Sequence, residues 1–314
     1  MEYIKNTTEF YIPQETAVSL GKFDGIHRGH GRLMEYLAEK KKLGRKTVVF
    51  TFDIPPRAGT DAHSFNKVLT TNEEKMQLFL EMGIDYLLEC PFTPEIMHME
   101  PEDFVEMLVK RLHVKSIVVG TDFRFGHNRR GDHQLLQKLS DFYGYDVLVV
   151  DKVQENGRDI SSTFIREEIL RGEVEHANEL LGYRYFVQGQ VLHGNEIGRT
   201  LDAPTANLLP AKEKLLPPFG VYVTRTTVLD SPEKIYGGIT NVGCKPTISG
   251  EHPAGVETHL FGFRGNLYDK QIRVEFLARV RPEQRFDSLE ELKNQMHNDI
   301  EFGIKYYTNI TKIC

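Results

Sequence analysis

Two patterns of apolar and polar positions divide the chain. Up to about Lys152, apolar runs of strand length alternate with longer stretches in which apolar residues recur every three or four positions. AVSLG (17–21), TVVFTF (47–52), IDYLLEC (84–90), KSIVVG (115–120) and YDVLVV (145–150) read as strands. Between them, GRLMEYLAEKKKLG, NEEKMQLFLEMG, PEDFVEMLVKRLH and DHQLLQKLSDFYG read as helices, each with a glycine or histidine near its end. Such alternation predicts βα units around a parallel sheet, whose ligands gather at the carboxyl ends of the strands.

After Asp159 the helical spacing of SSTFIREEILRGEVEHANELLGY gives way to a different rhythm. YFVQGQVL (185–192), VYVTRTTV (221–228), IYGGITN (235–241), VETHLFGF (256–263) and QIRVEFLARV (271–280) are alternating or β-branched runs separated by Gly, Pro, Asn and Asp. So many strands predict a closed or rolled antiparallel barrel, with the helical DSLEELKNQMHNDIEFGIKYY covering an open side. The expected architecture is an α/β parallel-sheet domain over 1–183 and a mostly β barrel domain with a terminal helix over 184–314, the break falling near Gly182 to Phe186.

Composition changes this picture little. The 314 residues suit two domains, and 40% hydrophobic with 27% charged content is that of a soluble globular protein. MEYIKNTTEF lacks the basic and apolar regions of a secretory signal, so a cytoplasmic location is expected. Cys90, Cys244 and Cys314 are odd in number and far apart, which suggests neither a disulfide framework nor a zinc site. A net charge of -6 argues against nucleic-acid partners, and no apolar run is long enough to span a membrane.

Four stretches carry candidate chemistry. In GKFDGIHRGH (21–30), Gly21 and Gly25 let the backbone turn tightly around a ligand, Asp24 lies between them, and His27 and His30 stand at the mouth of a helix. Donors fixed there suit nucleotidyl transfer, in which negative charge builds on in-line phosphate oxygens. The structural alternative is a capping His27 and a core His30. In GTDFRFGHNRRGD (120–132), Arg124, Arg129 and Arg130 offer cations for phosphates, while Asp122, Phe123 and Phe125 offer a pocket for a flat ring. A solvated charge run explains the same composition. In ISSTFIREE (160–168), Ser161, Ser162, Thr163 and Arg166 place donors at the positive end of a helix, although capping alone explains the serines. In GQVLHGNEIGRTLDAPTANL (189–208), Gly194, Gly198 and Arg199 belong to a loop able to wrap phosphates, and Thr205 and Asn207 supply oxygen ligands suited to magnesium. Glu257 in GVETHLF is the candidate general base; the alternative is an outward-facing strand glutamate.

In this order, and together with LTTNEEK (69–75), PEDFVEMLVKRL, LLGY and RPEQRFDSLEELKNQMHND (281–299), these motifs resemble the bacterial bifunctional riboflavin kinase/FMN adenylyltransferase family, also called FAD synthetase, over nearly the whole chain. The resemblance implies two reactions. The C-terminal half would transfer the ATP γ-phosphate to the ribityl hydroxyl of riboflavin, with Thr205 and Asn207 of PTAN holding magnesium and phosphates and Glu257 taking the proton. The N-terminal half would join FMN to the α-phosphate of a second ATP, with His27 and His30 of GxFDGxHxGH stabilising the transferred group and Ser161, Ser162, Thr163 and Arg166 holding the departing phosphates. Arg281 joins Asp122, Phe123 and Phe125 as an expected flavin contact. The implied partners are riboflavin, FMN, FAD, ATP and Mg2+, with no nucleic acid, no membrane, and a weak homo-oligomer allowed. Departures from the family pattern fall at Ile54, Pro55, Asp202, Ala203 and Gly262. Two rival readings are a chain with one degenerate half and a flavin-responsive binding protein. Another nucleotidyltransferase would fit HxGH but leave the second half unexplained.

Overall fold

The computed structural model describes residues 1–53, 67–193, 205–244 and 254–313. The candidate residues Gly194, Gly198 and Arg199, and the departures at Ile54, Pro55, Asp202 and Ala203, lie outside them. The chain divides into two compact units, Met1–Ser162 and Thr163–Cys314.

In the first unit the strands are β1 (Glu2–Lys5), β2 (Thr16–Leu20), β3 (Lys46–Asp53), β4 (Tyr86–Pro91) and β5 (Val114–Gly120), then the short pair β6 (Arg124–Phe125) and β7 (Gly131–Asp132), then β8 (Asp146–Val150) and a second short pair, β9 (Gln154–Glu155) and β10 (Arg158–Asp159). The helices are α1 (Arg28–Lys42), α2 (Asn72–Glu81), α3 (Pro94–Met97), α4 (Pro101–Leu112) and α5 (His133–Tyr143). Six strands pair in parallel in the order β1-β4-β3-β2-β5-β8. The chain builds outward from β2 through β3 and β4, then crosses back to β5 on the other side of β2, so the order reverses at β2. Such a switch point opens a crevice at the carboxyl ends of the strands. All five residues of β2 are buried, which is why its run is continuously apolar save for Thr16 and Ser19. The hydroxyls of these two donate to the Leu112 and Val118 carbonyls at 2.7 and 2.9 Å. Strand β1 was not expected, because EYIK lies at the sheet edge with no fully buried residue and shows no apolar run.

The helical segment expected after Asp159 is two helices, α6 (Ser162–Arg171) and α7 (Val174–Leu181). Gly172, at φ +86°, breaks it, since a left-handed glycine ends a helix at little steric cost. The division between units falls in the first turn of α6. Within the second unit α7 is tied to the sheet: the Asn178 amide donates to the Phe276 carbonyl at 2.9 Å and accepts from the Tyr185 N–H at 2.6 Å.

Strands β11 (Phe186–Gln190), β12 (Thr205–Leu208), β13 (Gly220–Val228), β14 (Ser231–Cys244), β15 (Ala254–Leu260) and β16 (Gln271–Pro282) pair antiparallel in the order β11-β16-β13-β14-β15-β12. The edges meet just past β11, where the Leu192 N–H donates to the Asn207 carbonyl at 2.8 Å and closes the barrel. Ala206, Leu208, Val256, Thr258, Thr240 and Tyr222 alternate inward and are buried. The terminal helix α8 (Leu289–Ile313) lies on the outer face, where Gly237 and Gly303 leave room for Tyr307 and for Ile239 with Phe261. No helix among the described residues is long and apolar enough to cross a membrane.

Candidate active sites

The first site forms where β2 ends. Gly21 continues the ladder by donating to the Phe50 carbonyl at 3.2 Å, and the chain then turns sharply. Phe23, Gly25 and Ile26 take φ values of +50°, +80° and +33°. Glycine adopts that region freely, but a phenylalanine and a β-branched isoleucine do so only when their surroundings over-determine it. Phe23 is fully buried edge-on to Phe79 and His30, with ring centroids 5.6 and 5.2 Å apart. The Asp24 carboxylate accepts from the Leu69 and Thr70 N–H groups at 2.8 and 3.2 Å, and Gly25 N–H donates to the Thr70 hydroxyl at 3.2 Å. Asp24, which lies between the two glycines of the motif, thus spends one carboxylate oxygen on the neighbouring loop.

This strained turn delivers His27 to the N-cap position of α1, where its side chain makes no capping bond. The His27 and His30 rings stack with centroids 3.8 Å apart. A Cβ on Gly29 would stand 3.1 Å from the His27 ring, so the glycine gives the imidazole its place. Burial lowers the His27 pKa to about 4 against the opposing pull of Asp122, and burial with the neighbouring His27 lowers that of His30 well below the ordinary value. Both are neutral at physiological pH. The Nδ1 atoms of both are buried with no hydrogen-bond partner. With no acceptor beside Nδ1, the ring proton belongs on Nε2, and each imidazole presents an Nε2–H donor. Together with the open N–H groups of α1 this makes a dry cradle for a phosphate group.

The third motif joins the first, since Ser162, the first residue of α6, donates from Oγ to the Asp24 carbonyl at 2.8 Å. Ser161 stands just ahead of the helix; within α6, Thr163 is exposed in the first turn and Arg166 lies one turn on. The second motif divides. Asp122 is mostly exposed and pairs with Lys152 at 3.3 Å; Lys152 also holds Asp159 at 3.0 Å. Phe125 is 5% exposed and packs on Phe104 with centroids 5.7 Å apart. It is therefore a core residue, and the half-buried Phe123 stacked 5.5 Å above it is the aromatic within reach of a ligand. Gly131 must lack a side chain, because a Cβ would stand 2.8 Å from the Phe125 ring. Arg124 is exposed and donates to the Phe123 carbonyl at 2.9 Å, and Arg130 pairs with Glu100.

The second site lies on the outer face of the barrel. Register sets Asn207 directly opposite Glu257, and Glu257 directly opposite Asn241 on the next strand. Residues two apart share a face, so Thr205 joins them, and its hydroxyl donates to Glu257 Oε1. Thr205, Asn207 and Glu257 are half-buried. A hydroxyl, an amide carbonyl and a carboxylate on neighbouring strands are hard oxygen donors, a set that fits magnesium and phosphate oxygens. Arg281 turns to α8, where it grips the buried Asp299 through Nη2 at 2.8 Å and Nε at 3.1 Å. Sequence reading missed Asn241 and Lys152; strand alternation through GGITNVG was the available signal for Asn241.

A family model described as FAD synthetase matches residues 10–164, and one described as riboflavin kinase matches residues 181–307. The chain is 37% identical over 303 residues to the bifunctional riboflavin kinase/FMN adenylyltransferase of Escherichia coli K12, covering 96% of this chain and 95% of that protein. It is 32% identical over 305 residues to the Bacillus subtilis protein of the same name, covering 95% and 94%. A crystal structure from Streptococcus pneumoniae, described as a macrolide-efflux protein, superposes with a TM-score of 0.81 at 30% identity over 95% of this chain and 96% of that one. Matched in both halves and along nearly its whole length, the chain belongs to the bifunctional riboflavin kinase/FMN adenylyltransferase family.

Proposed function

We infer that this chain is a bifunctional enzyme of flavin cofactor synthesis, phosphorylating riboflavin with ATP and joining the resulting FMN to AMP from a second ATP. The observation that carries the assignment of sites is the pairing of unpartnered Nδ1 atoms with a helix mouth in one unit, and of a hydroxyl-tethered carboxylate with two oxygen donors in the other.

In the kinase half, Thr205 orients Glu257 by donating to one oxygen, which leaves the other to accept the proton of the terminal ribityl hydroxyl as its oxygen attacks the γ-phosphorus of ATP. The products are FMN and ADP. Magnesium, held by Thr205 and Asn207 together with ATP oxygens, would offset the triphosphate charge when bound. In the adenylyltransferase half, an FMN phosphate oxygen attacks the α-phosphorus, and pyrophosphate leaves. His27 and His30 donate through Nε2–H to the oxygens that gain charge, while Ser161, Ser162, Thr163 and Arg166 hold the departing phosphates. The neutral form of both imidazoles keeps these donors in place without a proton changing hands. Phe123 and Asp122 border the ligand at the end of β5.

Incubating the chain with riboflavin, ATP and magnesium and separating the products tests this reading. FMN with ADP should appear first and FAD with pyrophosphate after it. FMN alone, or flavin binding without turnover, would overturn it.

A further inference from the structure

Asp122 poses a problem for the site it borders. The adenylyltransferase reading brings two anions, FMN and a triphosphate, to the His27–His30 cradle, and a carboxylate near that cradle repels both. Asp122 is near enough to be the charge that pulls on the His27 ring. Its carboxylate folds back over the end of β5, where Oδ1 lies 3.3 Å from the point that a Cβ on Gly120 would occupy. Burial keeps both imidazoles neutral, so they donate hydrogen bonds without bringing a charge to offset it.

Register supplies the counter-charge. β5 and β8 are parallel neighbours with Gly120 opposite Val150, so the residues two positions further on, Asp122 and Lys152, leave the sheet side by side. The Lys152 ammonium stands 3.3 Å from Asp122 and 3.0 Å from Asp159. Asp159 pairs with Gln154 across the β9–β10 hairpin, accepts from its amide at 2.7 Å, and leads into Ser161 and Ser162. The two carboxylates raise the Lys152 pKa and so hold it charged. Exposed pairs of this kind add little to stability. What this one changes is the field at the carboxyl ends of β5 and β8: two carboxylates and one ammonium leave a single net negative charge, which doubles if the lysine is lost.

We propose that Lys152 is a positioning residue for adenylyl transfer, which neutralises Asp122 and so admits ATP to the cradle beside His27 without itself touching the substrate. The proposal rests on the adenylyltransferase reading of this unit. Removing one counter-charge from a partly solvated site weakens anion binding about 3- to 10-fold at low ionic strength, and salt screens the effect.

The test is steady-state kinetics of FAD formation by the full chain at saturating FMN. Lys152→Met should raise KM for ATP about 3- to 10-fold in about 0.02 M salt with little change in kcat, and the rise should shrink in about 0.5 M salt. Lys152→Arg, which keeps the charge, should restore KM. The deciding comparison is a double-mutant cycle: with Asp122→Asn already in place, adding Lys152→Met should raise KM for ATP little further. An unchanged KM for ATP in Lys152→Met would overturn the shield. So would an equal rise with and without Asp122→Asn, which would make Lys152 a direct contact of the phosphates. Absence of FAD from FMN and ATP in the wild-type chain would instead overturn the adenylyltransferase reading.

Discussion

The two sites solve opposite problems with opposite surroundings. In the first unit, donors for developing negative charge sit on a strained turn, with Nδ1 of each imidazole buried and protonation suppressed down to about pH 4 for His27. In the second, a half-buried carboxylate stands on the outer face of a barrel, tethered by one threonine hydroxyl. A group that stabilises charge gains from dryness and fixed orientation, because each donor is worth more in a low dielectric. A base that must receive a proton gains from a position that keeps it charged and accessible. The parallel sheet supplies the first setting at its switch point, and the barrel supplies the second through cross-strand register.

The sharpest way to separate the two sites is to disable each in turn. Glu257→Ala removes the proton acceptor of the kinase half, and FMN formation should fall about 10²- to 10⁴-fold while FAD formation from added FMN stays at the wild-type rate. His30→Ala removes one donor and the stacking partner of His27, and FAD formation should fall about 10²- to 10³-fold while FMN accumulates. Chromatography of flavins from parallel reactions reads both. If either variant, shown to be folded by circular dichroism, lost both products, the assignment of one reaction to each unit would be wrong.

How much of this was legible in the chain depends on what each residue signals locally. Strands β2, β3, β4, β5 and β8 announce themselves as apolar runs because helices cover the sheet. EYIK and TANL do not, being short and half-exposed, and their pairing with β4 and β15 is long-range. HxGH and ISST are readable as chemistry, but nothing in them shows that Asp24 holds the 69–70 backbone or that Ser162 reaches the Asp24 carbonyl. Phe123 and Phe125 look equivalent in FRF, yet Phe125 packs on Phe104 in the core while Phe123, just ahead of β6, stacks over it and stays half-exposed. Arg281 reads as a free cation, whereas Asp299, eighteen positions later, claims it from α8. Lys75 is the least legible of all. A lysine in the first turn after a capping box belongs in solvent by every local rule, and only the fold buries it.

The same burial makes the first unit acid-sensitive. An ordinary histidine titrates at 6.5, and folding lowers the His27 pKa to about 4 because a charged ring would be desolvated. Above about pH 6.5 neither the folded nor the unfolded chain binds this proton, so the contribution to stability is complete. As pH falls below that value, the unfolded chain takes up a proton that the folded chain refuses, and stability declines until about pH 4, where both forms are protonated. At about pH 5 the loss from His27 alone is on the order of 2 kcal/mol, and His30, shifted in the same direction, adds to it. Denaturant unfolding of the wild-type chain between about pH 7 and pH 5 should show this decline, and His27→Gln should flatten it while lowering FAD formation. A pH dependence identical in the two proteins would mean that the imidazoles are wetter than their geometry indicates, and would remove the contrast between a dry donor site and an open basic one.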